Sequence, residues 1–141
     1  METIASAPAN ASKSVPARFV SVLVVDDQPG LRLGLTLLID AERPRLRSVG
    51  SAANGEQALA LARQLQPDVV LLDVNLGHED GLALIPLLQG IAPCCRVLVL
   101  TSMADEQVAQ RARRLGAHGF MLKTAPATEL LEQLVSLARR G

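Results

Sequence analysis

The sequence predicts an α/β fold: a five-stranded parallel sheet, doubly wound, with helices on both faces. Three observations predict it. Short continuous apolar runs alternate with helical patterns. The strand–helix order recurs five times. Hydrophobic residues make up 49% of the 141 residues, ample for one core. Continuous apolar runs suit strands buried on both faces, and their alternation with helices implies a parallel sheet. A chain of this length holds one domain comfortably and two poorly.

The elements follow in order. Residues 1–18 are rich in Ala, Ser and Pro and lack the apolar stretch of a secretory signal, so they are expected to form a disordered arm, with the domain over 19–141. Phe19–Val25 is the first strand and ends at Asp26-Asp27. Leu31, Leu35, Leu38 and Ile39 mark one face of a helix. A weaker strand is expected over Arg47–Ala52. Asn54, with Gln57 three residues on, caps a helix faced by Ala58, Leu61, Ala62 and Leu65. Val69–Leu72 is a strand ending at Asp73. Leu82–Gln89 reads as a short helix, but Pro86 lacks a backbone donor, which predicts a late start or a kink. Val97–Leu100 ends at Thr101. Asp105 opens and Gly116 stops a helix faced by Val108, Ala112 and Leu115. Gly119–Leu122 ends at Lys123. Pro126 stands near the start of a last helix carrying Leu130, Leu131, Leu134 and Leu137.

Composition excludes several functions. Lys and Arg number 14 against 14 Asp and Glu, so there is no basic surplus for direct nucleic-acid or anionic-membrane binding. Two Phe, with no Tyr or Trp, leave no stacking platform for single strands. No apolar run approaches the roughly 20 residues of a membrane span. Cys94 and Cys95 are adjacent, and neighbouring Cα atoms lie about 3.8 Å apart, below the usual disulfide range. They read as small buried or half-buried side chains in a reduced, cytoplasmic setting.

The strand ends carry the chemistry. In open parallel sheets, ligands bind outside the carboxyl ends of the strands. Those ends here hold Asp26, Asp27, Asp73, Thr101 and Lys123. Three carboxylates in one crevice repel one another and raise one another's pKa. A hard divalent cation relieves that repulsion, and Mg²⁺ favours carboxylate and water oxygens. A hydroxyl and a lysine opposite them suit the oxygens of a phosphoryl group. A carboxylate beside a metal and a lysine is a nucleophile for an acyl-phosphate intermediate.

At these residues the sequence resembles a response-regulator receiver domain of two-component systems, a chemotaxis-receiver-like phosphoacceptor domain. The matching segments are Val22–Asp27 (VLVVDD), Val69–Gly81 (VVLLDVNLGHEDG), Val97–Ser102 (VLVLTS) and Gly116–Lys123 (GAHGFMLK), within a resemblance over about Val20–Arg139. It implies a flavodoxin-like (βα)5 sheet of order 2-1-3-4-5. It implies Asp73 as phosphoacceptor and Mg²⁺ on Asp27, Asp73, the Asn75 backbone carbonyl and, through water, Asp26. Thr101 would bond the phosphoryl oxygen and shift inward, Lys123 would pair with the phosphoryl group, and Phe120 would be the switch aromatic. A sensor histidine kinase is the implied donor. The surface over about 105–139, the last two helices and the strand between them, would meet a partner or a second copy. His78 is read as a solvated loop residue, and Arg111, Arg113 and Arg114 as a solvated helix face.

Two departures qualify the resemblance. Many receivers carry Pro four residues after the phosphoacceptor, where this chain has Gly77, which loosens the loop. Many follow the lysine with a cis proline; here Thr124 follows, and a cis bond before it would cost about 2.5–4 kcal/mol, so a trans peptide is expected. The Lys123-x-x-Pro126 form is similar to receivers joined to helix-turn-helix DNA-binding output domains. The chain holds no such domain, and a piece of a longer regulator is preferred over a stand-alone receiver. The expected role is a switch rather than an enzyme. Three other readings compete with it. An Asp-nucleophile phosphatase favours an acid two residues on, where Asn75 stands. A flavodoxin-like electron carrier would need a phosphate cradle after the first strand. A degenerate docking module would not need all five site positions filled.

Overall fold

A computed structural model describes residues 19–139, so the expected arm over 1–18 lies outside the described residues. The elements are β1 (Val20–Val25), α1 (Pro29–Asp40), β2 (Leu46–Ala52), α2 (Gly55–Leu65), β3 (Val69–Asp73), α3 (Leu84–Ile91), β4 (Arg96–Thr101), α4 (Glu106–Arg114), β5 (Gly119–Leu122) and α5 (Ala127–Arg139). All five strands pair in parallel, in the order β2-β1-β3-β4-β5. That is the expected doubly wound, flavodoxin-like sheet, with each strand within one or two residues of its predicted span.

The central strands are buried on both faces, and the period-2 alternation of side chains divides them between two cores. Leu23, Val25, Val70, Leu72, Val97 and Val99 pack with Ala58 and Ala62 of α2, Ile85 and Leu88 of α3, and Ala112 of α4. Val22, Val24, Val69, Leu71, Leu98 and Leu100 pack with Leu35 and Ile39 of α1 and with Leu130, Leu131 and Leu134 of α5. Burial from both sides is why these strands read as unbroken apolar runs instead of alternating ones.

Helix ends follow local chemistry. Asn54 Oδ1 accepts from the Gln57 amide at 2.9 Å at the start of α2. Asp105 Oδ1 accepts from the Gln107 amide at 2.9 Å at the start of α4. Gly116, at φ +108°, ends that helix in the left-handed region. The conflict at Pro86 resolves as a late start: a 3-10 turn, Gly81–Ala83, precedes α3 and leaves Pro86 in the first helical turn, where its missing donor costs little. The Lys123-Thr124 peptide is trans; the cis peptide among the described residues is Arg43-Pro44.

A short element was not expected. Asn75–Leu76 pairs antiparallel with Glu79–Asp80, forming a hairpin directly after β3. Its two-residue turn, Gly77-His78, begins with Gly77 at φ +63°, the positive value that glycine supplies in such turns. Proline, fixed near −65°, cannot take this conformation. The departure at Gly77 is therefore a change of loop shape, not only of loop stiffness. A Cβ at Gly77 would meet Asp27 Oδ2 at 3.5 Å, ordinary contact. Gly77→Ala should thus cost only about 1–2 kcal/mol for the left-handed backbone. Gly77→Pro should cost roughly 3 kcal/mol and remove the hairpin. Urea denaturation of the two variants checks the ordering.

Cys95 is buried and Cys94 exposed, and neither is in a disulfide. Burial, with the neighbouring Cys94 adding to it, pushes the Cys95 thiol up to about 11. At pH 8 a maleimide should therefore label Cys94 and spare Cys95 in the folded protein. Intact mass should show one adduct, and a second only under denaturant.

Candidate phosphoryl and metal site

Strand register assembles the site. Val25 lies opposite Leu72 in β3, which sets the following residues, Asp26 and Asp73, side by side at the carboxyl edge. Asp73 pairs with Leu100, and Thr101 with Leu122. The Lys123 amide donates to the Thr101 carbonyl at 2.7 Å, which carries the row one strand further. Strand-terminal residues Asp26, Asp73, Thr101 and Lys123 thus line one crevice, with Asp27 at its rim.

Asp26 is 1% exposed and held on three sides. Its amide donates to the Ala52 carbonyl at 3.0 Å. Its Oδ1 accepts from the Gln28 amide at 2.9 Å, and its carbonyl accepts from Arg32 Nη1 at 2.8 Å. Its Oδ2 is buried without a hydrogen-bond donor, and the nearest counter-charge is Lys123 Nζ at 3.5 Å. Asp73 is also buried; Lys123 Nζ donates to its Oδ2 at 3.0 Å, and the Asn75 amide to its Oδ1 at 3.2 Å. Burial raises the Asp73 pKa above the ordinary carboxylate value, and the Asp26 charge adds to this, against the opposing pull of Lys123 and Asn75. Burial lowers the Lys123 pKa, but the bond to Asp73 and the charges of Asp73 and Asp26 outweigh it and leave the ammonium more basic than usual.

Carboxylate oxygens of Asp26, Asp27 and Asp73 lie within 4.8 Å of one another. An orphaned buried oxygen and three converging hard donors fit a Mg²⁺-sized cation, which prefers oxygen ligands and tolerates retained waters. Thr101 Oγ1 donates to the Met103 carbonyl at 3.3 Å, a long bond that leaves the hydroxyl beside the crevice. Phe120 is half-buried and lines a shallow depression with Ala104, Asp105, Ala109 and Arg113 of the α4 region.

The sequence profile of the response regulator receiver domain matches residues 22–135. This chain belongs to the response regulator receiver domain family. The receiver domain is 36% identical over 114 residues to the nitrate/nitrite response regulator protein NarL of Escherichia coli (strain K12), covering 81% of this chain and 52% of that protein. It is 37% identical to the response regulator GacA of Pseudomonas aeruginosa, over 82% of this chain and 53% of that protein. The chain therefore spans about half the length of these relatives. Among solved structures, the NarL receiver domain from Mycobacterium tuberculosis superposes with a TM-score of 0.81 at 30% identity, over 86% of this chain and 98% of that one. A response regulator from Burkholderia pseudomallei, with a phosphorylated aspartic acid, calcium ion and citrate, gives a TM-score of 0.72 at 31% identity, over 86% of this chain and 69% of that one.

Sequence reasoning named Asp26, Asp27, Asp73, Thr101 and Lys123, and the receiver domain places them at one edge. Asn75 lies in the hairpin with its side chain exposed. His78 sits in the hairpin turn. Arg111, Arg113 and Arg114 are exposed on α4, as expected of a solvated face, and within that face Arg111 pairs with Asp80 and Arg113 with Glu106. Two supports were missed. Arg32 anchors the Asp26 carbonyl from α1. Glu79 Oε1 accepts from the Gly55 amide at 2.7 Å, tying the hairpin to the start of α2. No helix among the described residues is long and apolar enough to cross a membrane.

Proposed function

We propose that this receiver domain is a cytoplasmic phosphoacceptor switch, taking a phosphoryl group from a sensor histidine kinase onto Asp73 in a Mg²⁺-dependent reaction. The observation that carries the reading is the setting of Asp73: buried, 3.0 Å from Lys123 Nζ and clustered with Asp26 and Asp27. Asp27, Asp73 and the Asn75 backbone carbonyl would hold the metal directly, and Asp26 through water. Bound Mg²⁺ would offset the negative charge of the phosphoryl oxygens. A carboxylate oxygen of Asp73 attacks phosphorus; the P–N bond to the donor imidazole breaks as the P–O bond forms, and the electron pair stays on the nitrogen. Lys123 exchanges its partner from Asp73 Oδ2 to a phosphoryl oxygen.

The new charge then draws the Thr101 hydroxyl from Met103 toward the phosphoryl group, and Phe120 follows into the space Thr101 leaves. This changes the face over residues 105–139, which controls a partner, a second copy or a DNA-binding output domain. The names of the relatives support a link to transcription control, and the phosphorylated aspartate of the Burkholderia pseudomallei protein supports the acceptor chemistry. The domain acts as a switch and turns over only its own phosphoryl group.

Intact-protein mass spectrometry after incubation with acetyl phosphate and Mg²⁺ tests the proposal. One phosphoryl group is expected on the parent, and none on Asp73→Asn or without Mg²⁺. A folded parent that binds Mg²⁺ and acquires no adduct, or an Asp73→Asn protein that does acquire one, overturns it.

A further inference from the structure

We propose that Asp80 and Arg111 form a positioning pair that ties the loop after Asp73 to α4, so that the geometry of the acceptor loop depends on where α4 sits. The inference rests on the acceptor reading above and adds a regulatory connection to it.

Arg111 Nη2 donates to Asp80 Oδ2 at 2.6 Å across 31 residues of sequence. The other oxygen, Oδ1, accepts from the Leu82 amide at 3.1 Å, opening the 3-10 turn. Both carboxylate oxygens are thus engaged, one within the loop and one on α4. The Asp80 carboxyl is held below the ordinary range, first by the bond from Arg111.

Asp80 is well placed to transmit displacement because Gly81 follows it. The Gly81 amide donates to the Val74 carbonyl at 2.8 Å, and a Cβ at Gly81 would collide with the Asp73 carbonyl. Backbone therefore runs against backbone from Asp80 to the acceptor residue, with no side chain to absorb a shift. At the other end, α4 starts from its Asp105 cap, four residues beyond Thr101, and its Ala109 and Arg113 line the depression that holds Phe120. The pair joins the two segments that the proposed switch moves relative to one another. An exposed ion pair adds little to global stability; its effect is expected in the loop.

Amide hydrogen exchange by NMR on the metal-free full chain tests this, using Arg111→Ala, Arg111→Lys, Asp80→Asn and the Asp80→Asn/Arg111→Ala double variant. Asp80→Asn keeps the oxygen that caps Leu82. In Arg111→Ala, protection of the Gly81 and Asn75 amides should fall about threefold, while the Leu71 amide and the melting temperature stay unchanged. Arg111→Lys should restore part of the loss, and the double variant should lose no more than a single one. Mg²⁺ affinity, read by calorimetry, should fall by a similar factor. Unchanged Gly81 protection in Arg111→Ala, or losses that add in the double variant, overturns the pair's role. A parent that takes no phosphoryl group while Arg111→Ala still loosens Gly81 would overturn the acceptor reading and leave the positioning pair standing.

Discussion

Gly81→Ala is expected to destabilise the protein by roughly 3 kcal/mol or more. A Cβ there would meet the Asp73 carbonyl at a distance no real contact shows, and the Val74 carbonyl at 2.7 Å. Both obstacles are backbone atoms, so no rotamer change relieves the clash. The chain must either open the hairpin or push the end of β3 out of register. The same variant should lose Mg²⁺ affinity, because the carbonyls displaced belong to Asp73 and Val74, immediately before Asn75. Urea denaturation with Gly77→Ala as the comparison checks the magnitude. A Gly81→Ala protein as stable as Gly77→Ala would show that the loop can relax.

Asp73→Asn is expected to melt above the parent at pH 7 without Mg²⁺, by a few degrees, and to take up no phosphoryl group. Burial raises the folded-state pKa of Asp73 above its unfolded value. The folded state therefore holds that proton more tightly than the unfolded chain. The stability this supplies is fully present below the unfolded pKa and is lost as pH rises through the raised folded value. At neutral pH the ionised carboxylate sits beside buried Asp26, whose Oδ2 has no donor. Removing one charge relieves the pair, so the advantage of the Asn variant should shrink to nothing below about pH 4. Saturating Mg²⁺ should reverse the order at pH 7 by stabilising the parent more than the variant. Thermal melts over pH 3–8, with and without Mg²⁺, read both effects. A variant less stable than the parent in metal-free buffer at pH 7 would show that Asp73 is needed to neutralise Lys123.

The sheet and the acid cluster were legible because one physical rule writes both. Strands buried on two faces must be apolar along their length, so a charged residue marks where the strand leaves the core, and Asp26, Asp73 and Lys123 are such marks. Caps at Asn54 and Asp105 were readable because their bonds span two or three residues. The Asn75–Asp80 hairpin was not, since two-residue strands carry no periodicity. Asp80 lies inside the segment Val69–Gly81 that carries the resemblance, but its bond to Arg111 crosses 31 residues and leaves no pattern in the chain. The constraint on Gly81 depends on where the Asp73 carbonyl ends up, which no local signal encodes. Arg32 carries no local signal either: its guanidinium reaches back six residues to the Asp26 carbonyl, a contact that only the packed turn after β1 creates.

The strand order has a consequence for how the chain acquires its structure. Of the five sheet strands β1 is made first, yet one of its edges waits for β3, with Val22 meeting Val69. Until Leu72 is available, the VLVV segment can be covered on one edge at most, by β2. Pairings of such long sequence separation close slowly, since loop entropy is lost before any contact repays it. An open apolar edge is also a template for another chain. Substitutions that weaken the β1–β3 seam should therefore lower the yield of soluble protein more than they lower the melting temperature of the molecules that do fold, because the vulnerable period is before the sheet closes.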